Sequence, residues 1–139
     1  MKRQPGSSPR STRNQRTVSI IGTGSYAPDK ILTNEDLSRM VDTSDEWITT
    51  RTGIKERRIA AKDETTSDMA TKAALKALEQ AQISPEDVQL LLVATATPDM
   101  IFPATACFVQ KRIGAKNAAC LDVSAACAGF LVGIEIAQQ

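Results

Sequence analysis

An α/β fold with a largely buried sheet is the architecture this sequence predicts. Two apolar runs, residues 88–97 and 118–124, read as strands covered on both faces. Segments of helical periodicity lie around them, clearest over residues 66–81, and alternating strands and helices imply an α/β arrangement. The 139 residues, 42% apolar and 24% charged, suffice for one domain with a core. Aromatics are only 4%, so Ala, Val, Ile and Leu must supply most of that core.

Residues 1–16 hold Lys2, Arg3, Arg10, Arg13 and Arg16 and no acid, spaced by Ser, Pro, Asn and Gln. A segment of that kind buries too little apolar area to fold, so a disordered basic arm is expected, with the domain spanning residues 17–139. A transit peptide or a nucleic-acid-binding tail would share the composition, but a solvated extension is the expected reading. The arm has no apolar h-region, which argues against a secretory signal. Without those five charges, twelve basic residues face sixteen acids, about −4 by counting.

Residues 17–21, β-branched and ending at Gly22, predict a first strand. Asn34 is expected to cap a short helix through Leu37 and Met40, and Thr43 or Ser44 a second one holding Asp45, Glu46, Trp47 and Ile48. Gly53 should end it, with an extended segment over residues 54–59. From Thr66 or Ser67, Met69, Ala70, Ala73, Ala74, Ala77, Leu78 and Ala81 recur at helical steps and form a narrow small-residue face. Residues 84–87 read as a turn or helix start. Pro103 is expected to open a helix running to Arg112 and stopping at Gly114. From Ala126 onward a nearly all-apolar helix is predicted. It shows no C-terminal cap and too few preceding strands to cover it, so the chain is expected to continue past Gln139.

No apolar run approaches the roughly 20 residues of a membrane span, so a soluble protein is expected. Cys107, Cys120 and Cys127 are three in number and cannot all pair, and reduced thiols in a cytoplasmic setting are the default. There is no His, and three thiols at these spacings do not resemble a zinc site, so no metal is expected.

Three constellations carry chemistry. In Asp122-Val123-Ser124-Ala125-Ala126-Cys127-Ala128-Gly129-Phe130, a cysteine lies where a strand turns into a helix among very small neighbours. A helix N-terminus favours thiolate, and backbone N–H groups there can meet an oxyanion, as acyl transfer to sulfur requires. A buried structural cysteine is the alternative that local sequence leaves open; for Cys107 and Cys120 that reading is expected. Gly22-Thr23-Gly24-Ser25-Tyr26-Ala27 matches the dinucleotide fingerprint, but Pro28 and Asp29-Lys30 oppose the helix that fingerprint needs, so no nicotinamide or flavin is expected. Trp47 and Arg51, four apart, would share a helix face and could hold a nucleotide base and its phosphates. Spacing alone favours a packed Trp beside a solvated Arg.

These segments together resemble β-ketoacyl-acyl-carrier-protein (ACP) synthase III. The resemblance runs from about Val18 to Gln139 and rests on residues 20–28, on Val41-Asp42-Thr43-Ser44-Asp45-Glu46-Trp47-Ile48 with Arg51-Thr52-Gly53-Ile54, and on residues 122–130, in register. It implies a thiolase-like fold of αβαβα layers, of which this chain would be the N-terminal half, and a homodimer. It implies condensation of acetyl-CoA, or a similar acyl-CoA, with malonyl-ACP through an acyl-cysteine at Cys127, with both thioesters as substrates and no cofactor. The partners implied are acyl-CoA and ACP, with no nucleic acid and no membrane. Trp47 matches the residue stacking on the CoA adenine, Arg51 and Thr43 match positions holding the nucleotide end, and Phe102 matches a residue reaching across the dimer to the acyl pocket. The family's catalytic His and Asn fall beyond Gln139, so this chain alone is expected to be inactive in condensation. A related synthase priming a polyketide or other secondary metabolite would share every motif; a non-catalytic CoA-binding remnant is the reading outside the enzymes.

Overall fold

The computed structural model describes residues 18–139; the expected basic arm, residues 1–16, lies outside the described residues. Nine regular elements follow in chain order: β1 (Lys30–Thr33), α1 (Asn34–Ser38), α2 (Asp45–Thr52), β2 (Glu56–Ile59), α3 (Thr66–Ala81), β3 (Leu90–Ala94), α4 (Thr105–Ile113), β4 (Ala119–Val123) and α5 (Gly129–Gln138). Strand β1 pairs antiparallel with β2, Lys30 opposite Ile59. Strand β3 pairs parallel with β4, Leu90 opposite Ala119 and Val93 opposite Asp122.

The core lies on one face of the parallel pair. Val93, Ala106, Val109, Ile113, Ala115 and Ala118 are buried there, with Ala70, Ala74 and Leu78 of α3 and Leu91 and Cys120 of the strands against them. The face was expected to be matched by cover on the other side. Instead Leu90 and Leu121 each remain 37% exposed among the described residues, because α5 alone packs there. Period-2 alternation then decides which side chains work inside: Leu91 and Val93 on β3, Cys120 and Asp122 on β4.

Several expected elements shift for identifiable reasons. Residues 18–21 are not a strand, since no neighbouring strand takes up their backbone groups among the described residues. Thr33, not Asn34, caps α1, because its hydroxyl and the Asp36 carboxylate close a reciprocal capping box. Thr65 and Asp68 close the same box ahead of α3, which begins at Thr66 as expected. Ser44 caps α2, accepting from Trp47 N at 3.1 Å, and Gly53 ends it at φ 71°, where a Cβ would be strained. Pro103 does not open α4; it follows a cis Phe102–Pro103 peptide, and the helix begins at Thr105.

The glycines of the apparent dinucleotide fingerprint serve packing. A Cβ at Gly24 would lie 2.1 Å from Ala73 O and 2.5 Å from Ala77 N, and one at Gly22 2.6 Å from Ala77 O. Residues 22–26 therefore lie directly on the backbone of α3. The small-residue helix face divides the work: Ala70, Ala74 and Leu78 meet the core, while Ala73, Ala77 and Ala81 admit this segment. Polar contacts hold it there. Thr23 N donates to Gln80 Oε1 at 2.5 Å, and Lys76 Nζ donates to Ser25 O at 3.0 Å.

Candidate functional site

Two separate elements carry the predicted site residues. The first is α2. Trp47 is 53% exposed, and the Arg51 guanidinium lies over its ring, 4.5 Å from the centroid. The four-residue spacing therefore does place both on one outward face. Asp42, Thr43 and Ser44, just before the helix, complete with Trp47 a cavity of about 400 Å³. Thr43 and Trp47 thus line one depression, with the Arg51 guanidinium on the Trp47 ring, so that a hydroxyl, a flat aromatic surface and a cation form a suitable donor set for a phosphorylated heteroaromatic ligand.

The inward side of α2 is fixed by a residue that sequence reading missed. Asn34 is 1% exposed, and its Nδ2 donates to Asp45 Oδ1 at 2.8 Å, Thr49 Oγ1 at 3.3 Å and Ile54 O at 2.8 Å. As a sequence feature Asn34 looked like a cap, and nothing in its spacing reveals a buried amide.

The second element is the turn from β4 to α5. The expected helix from Ala126 onward is divided into a 3₁₀ turn over Ala126–Ala128 and α5 from Gly129. Cys127 sits in that turn with an exposed, unpaired thiol. Ala126 before it is held at φ 44°, a left-handed conformation that costs a non-glycine residue roughly 1–2 kcal/mol. Close packing holds this turn: a Cβ at Gly129 would stand 3.0 Å from Ala94 Cβ, so α5 meets β3 at contact distance. The other two thiols differ in surroundings. Cys107 and Cys120 are half-buried, and burial, followed by the neighbouring Cys107, pushes the Cys120 thiol above its ordinary value.

Asp122, in the same motif as Cys127, has a role its sequence position does not show. Helix α4 has Ala104 at its cap and no side-chain cap of its own. Asp122 supplies one from the neighbouring strand: its carboxylate accepts from Thr105 N at 2.6 Å and Ala106 N at 2.9 Å. An anion at that helix end is favoured by the macrodipole as well as by the two bonds. The preceding loop is tied to the same place, Asp99 N donating to Thr105 Oγ1 at 3.2 Å. Asp99 in turn accepts from Ser67 N at 2.9 Å and Ser67 Oγ at 2.5 Å, and Arg112 donates to the Ser67 hydroxyl. Phe102 projects from this loop, 86% exposed beside a fully exposed Ile101. The network anchors the base of the loop and leaves its apolar tip free.

A further cavity of about 590 Å³ is lined by Tyr26, Asp29, Ile59, Glu64 and Lys72 among others. Three of its polar groups are occupied with each other: Tyr26 Oη donates to Glu64 Oε1 at 2.5 Å, and Lys72 Nζ donates to the same oxygen at 2.8 Å. Lys72 and then Tyr26 hold the Glu64 carboxyl below its usual range, while Glu64 and then Tyr26 raise Lys72.

No protein-family model matches the chain. A β-ketoacyl-ACP synthase III from Caldanaerobacter subterraneus subsp. tengcongensis is 64% identical over 120 residues, covering 86% of this chain and 36% of the relative. The crystal structure of 3-oxoacyl-ACP synthase III from Aquifex aeolicus VF5 superposes with a TM-score of 0.82 at 58% identity, over 85% of this chain and 38% of that one. Over the matched residues the chain is similar to β-ketoacyl-ACP synthases III. The chain spans little more than a third of the length of these relatives, and its mixed α/β fold matches that part of their thiolase-like structures. The priming β-ketosynthase from the R1128 polyketide biosynthetic pathway also superposes, with a TM-score of 0.83 at 40% identity over 86% of this chain and 36% of its own.

Proposed function

We propose that this chain carries the acyl-accepting part of a β-ketoacyl-ACP synthase III, with Cys127 as nucleophile and Thr43, Trp47 and Arg51 as the CoA site. The observation that carries the reading is the exposed Cys127 thiol, held by a strained turn at the head of an apolar helix, in a chain 64% identical to a synthase III over 120 residues. The Cys127 thiolate attacks the carbonyl carbon of an acyl-CoA thioester, the oxyanion facing backbone N–H groups of the turn. The carbon–sulfur bond to CoA then breaks, CoA leaves as thiolate, and the acyl group stays on Sγ. Decarboxylation of malonyl-ACP releases CO₂ and gives a carbanion, which attacks the acyl carbon. A carbon–carbon bond forms, the bond to Cys127 breaks, and acetoacetyl-ACP departs.

Trp47 would stack on the adenine, while Arg51 and Thr43 meet the phosphates and ribose beside the 400 Å³ cavity. Substrates on this reading are the thioesters of CoA and ACP, with no metal or cofactor, in a cytoplasmic homodimer. Among the described residues no helix is long and apolar enough to cross a membrane. Phe102 and Ile101, both exposed apolar side chains on one loop, suit a contact across the dimer at the partner's acyl pocket. The chain has no His, so an imidazole used in decarboxylation must come from residues outside it, and on this reading the chain alone does not complete the condensation.

The test is acylation of the chain joined to the remainder of a synthase. Incubated with acetyl-CoA, the protein gains one acetyl group on the peptide holding Cys127, read by mass spectrometry, and Cys127→Ser gains none. Acylation persisting in the Ser variant would identify another nucleophile. The likeness to a priming β-ketosynthase supports a second reading, a synthase that starts a polyketide from a longer acyl-CoA. Turnover across acetyl-, branched- and longer acyl-CoA separates the two, since the fatty-acid reading requires acetyl-CoA or a similarly short primer.

A further inference from the structure

We propose that Asn34 is a positioning residue for the nucleotide surface of α2, a reading that rests on assigning Trp47 and Arg51 to CoA. Helix α2 is eight residues long, too short to persist on its own propensity, so its geometry must come from tertiary contacts. Its apolar anchoring is thin, with Ile48 as its buried residue. The Asn34 amide makes up for this by holding three places at once: Asp45 at the first turn, Thr49 one turn on, and Ile54 just past the Gly53 cap. Start, middle and end of the helix thus converge on one buried nitrogen. Thr49 Oγ1 also donates to Asp45 Oδ1 at 3.2 Å, joining two of the three partners.

The orientation of the amide follows from chemistry. Asp45 Oδ1 and Ile54 O are acceptors only, so the NH₂ must face them. The opposite atom, Asn34 Oδ1, is buried and has no hydrogen-bond partner among the described residues. A side chain that leaves one end unpaired in order to place the other indicates that the donor end decides its identity. The backbone reinforces the contact, Asn34 N donating to Lys55 O at 3.2 Å. Asp45, Thr49 and Ile48 line the inner side of α2, while Trp47 and Arg51 project outward from the same two turns. Releasing the inner side lets the helix pivot or fray, and the Trp47–Arg51 spacing of 4.5 Å is then no longer fixed.

The experiment uses Trp47, the one tryptophan in the sequence, as its own reporter. CoA is titrated against the unsubstituted chain, Asn34→Ala, Asn34→Asp, and Asn34→Asp combined with Asp45→Asn, following Trp47 fluorescence, with amide hydrogen exchange recorded in parallel. Losing these bonds should weaken CoA binding about tenfold and speed exchange in α2 by a similar factor, leaving α3 and α4 unchanged. Asn34→Asp should be worse than Asn34→Ala, since it sets a carboxylate against Asp45. The double variant reverses donor and acceptor across that pair, so it should regain part of the lost affinity even if a single variant folds poorly. Unchanged CoA affinity in Asn34→Ala, or exchange accelerated equally in α2, α3 and α4, would overturn the proposal. If the unsubstituted chain binds no CoA, the nucleotide reading fails, and α2 exchange alone then decides whether Asn34 positions the helix.

Discussion

Replacing Gly24 with Ala tests the packing of the N-terminal segment on α3. The new Cβ would stand 2.1 Å from Ala73 O, 2.5 Å from Ala77 N and 3.0 Å from Lys76 Cβ. Carbon contacts settle near 3.5 Å, so the segment and the helix must part by roughly 1 Å or more. Two of the three obstructing atoms are backbone and cannot rotate aside. Moving the segment that far breaks the bonds from Thr23 to Gln80 and from Lys76 to Ser25 O, now 2.5 and 3.0 Å. Overpacking of this kind costs about 1–3 kcal/mol, and each surface hydrogen bond adds about 0.5–1. A total near 3 kcal/mol corresponds to a melting temperature lower by roughly 10 °C for a domain of this size. Thermal unfolding of the purified chain by circular dichroism measures it. Gly133→Ala serves as the control, because a Cβ there meets nothing within 4 Å and a helix-interior Ala should be stabilising by about 0.5–1 kcal/mol. If Gly24→Ala melts within about 2 °C of the unsubstituted chain, the segment does not lie on α3 and the packing account of both glycines is wrong.

Two other perturbations test the polar framework. Asp122→Ala leaves two buried N–H groups of α4 without an acceptor and should cost about 2–4 kcal/mol, with faster amide exchange at Thr105 and Ala106; unaltered exchange there would show that α4 is capped otherwise. Because Lys72 and Tyr26 depress the folded-state pKa of Glu64, that residue's contribution is complete above the ordinary carboxylate range and is lost as pH falls through the depressed value. Urea midpoints measured from about pH 7 down to about 3 should therefore decline, and Glu64→Gln should flatten the decline without abolishing it, since Asp36 and Asp68 are depressed as well. An identical acid slope in Glu64→Gln would remove this cluster from the account.

Local signals with a local cause were legible in the sequence. The periodicity of α3, the parallel strand runs, the Gly53 and Gly114 stops and the Trp47–Arg51 face all follow from interactions within a few residues, where spacing and propensity decide. The small residues around Cys127 were visible for the same reason, although the strained Ala126 that sets the turn was not.

What escaped the sequence depends on distant partners. Strand β1 is not among the elements the sequence predicts, because its partner β2 lies 23 to 29 positions further along the chain. Gly22 and Gly24 imitate a phosphate loop until α3 is seen beneath them. Asn34 and Asp122 looked like an ordinary cap and a motif residue, yet each organises an element remote in sequence, one holding α2 and the other starting α4. A side chain's chemistry is written in its identity, but its partner is chosen by how the chain folds back. The sequence by itself therefore determined which groups this protein can use, and tertiary structure alone decided which of them are held still, because a buried donor or acceptor must be satisfied by whatever the fold brings beside it.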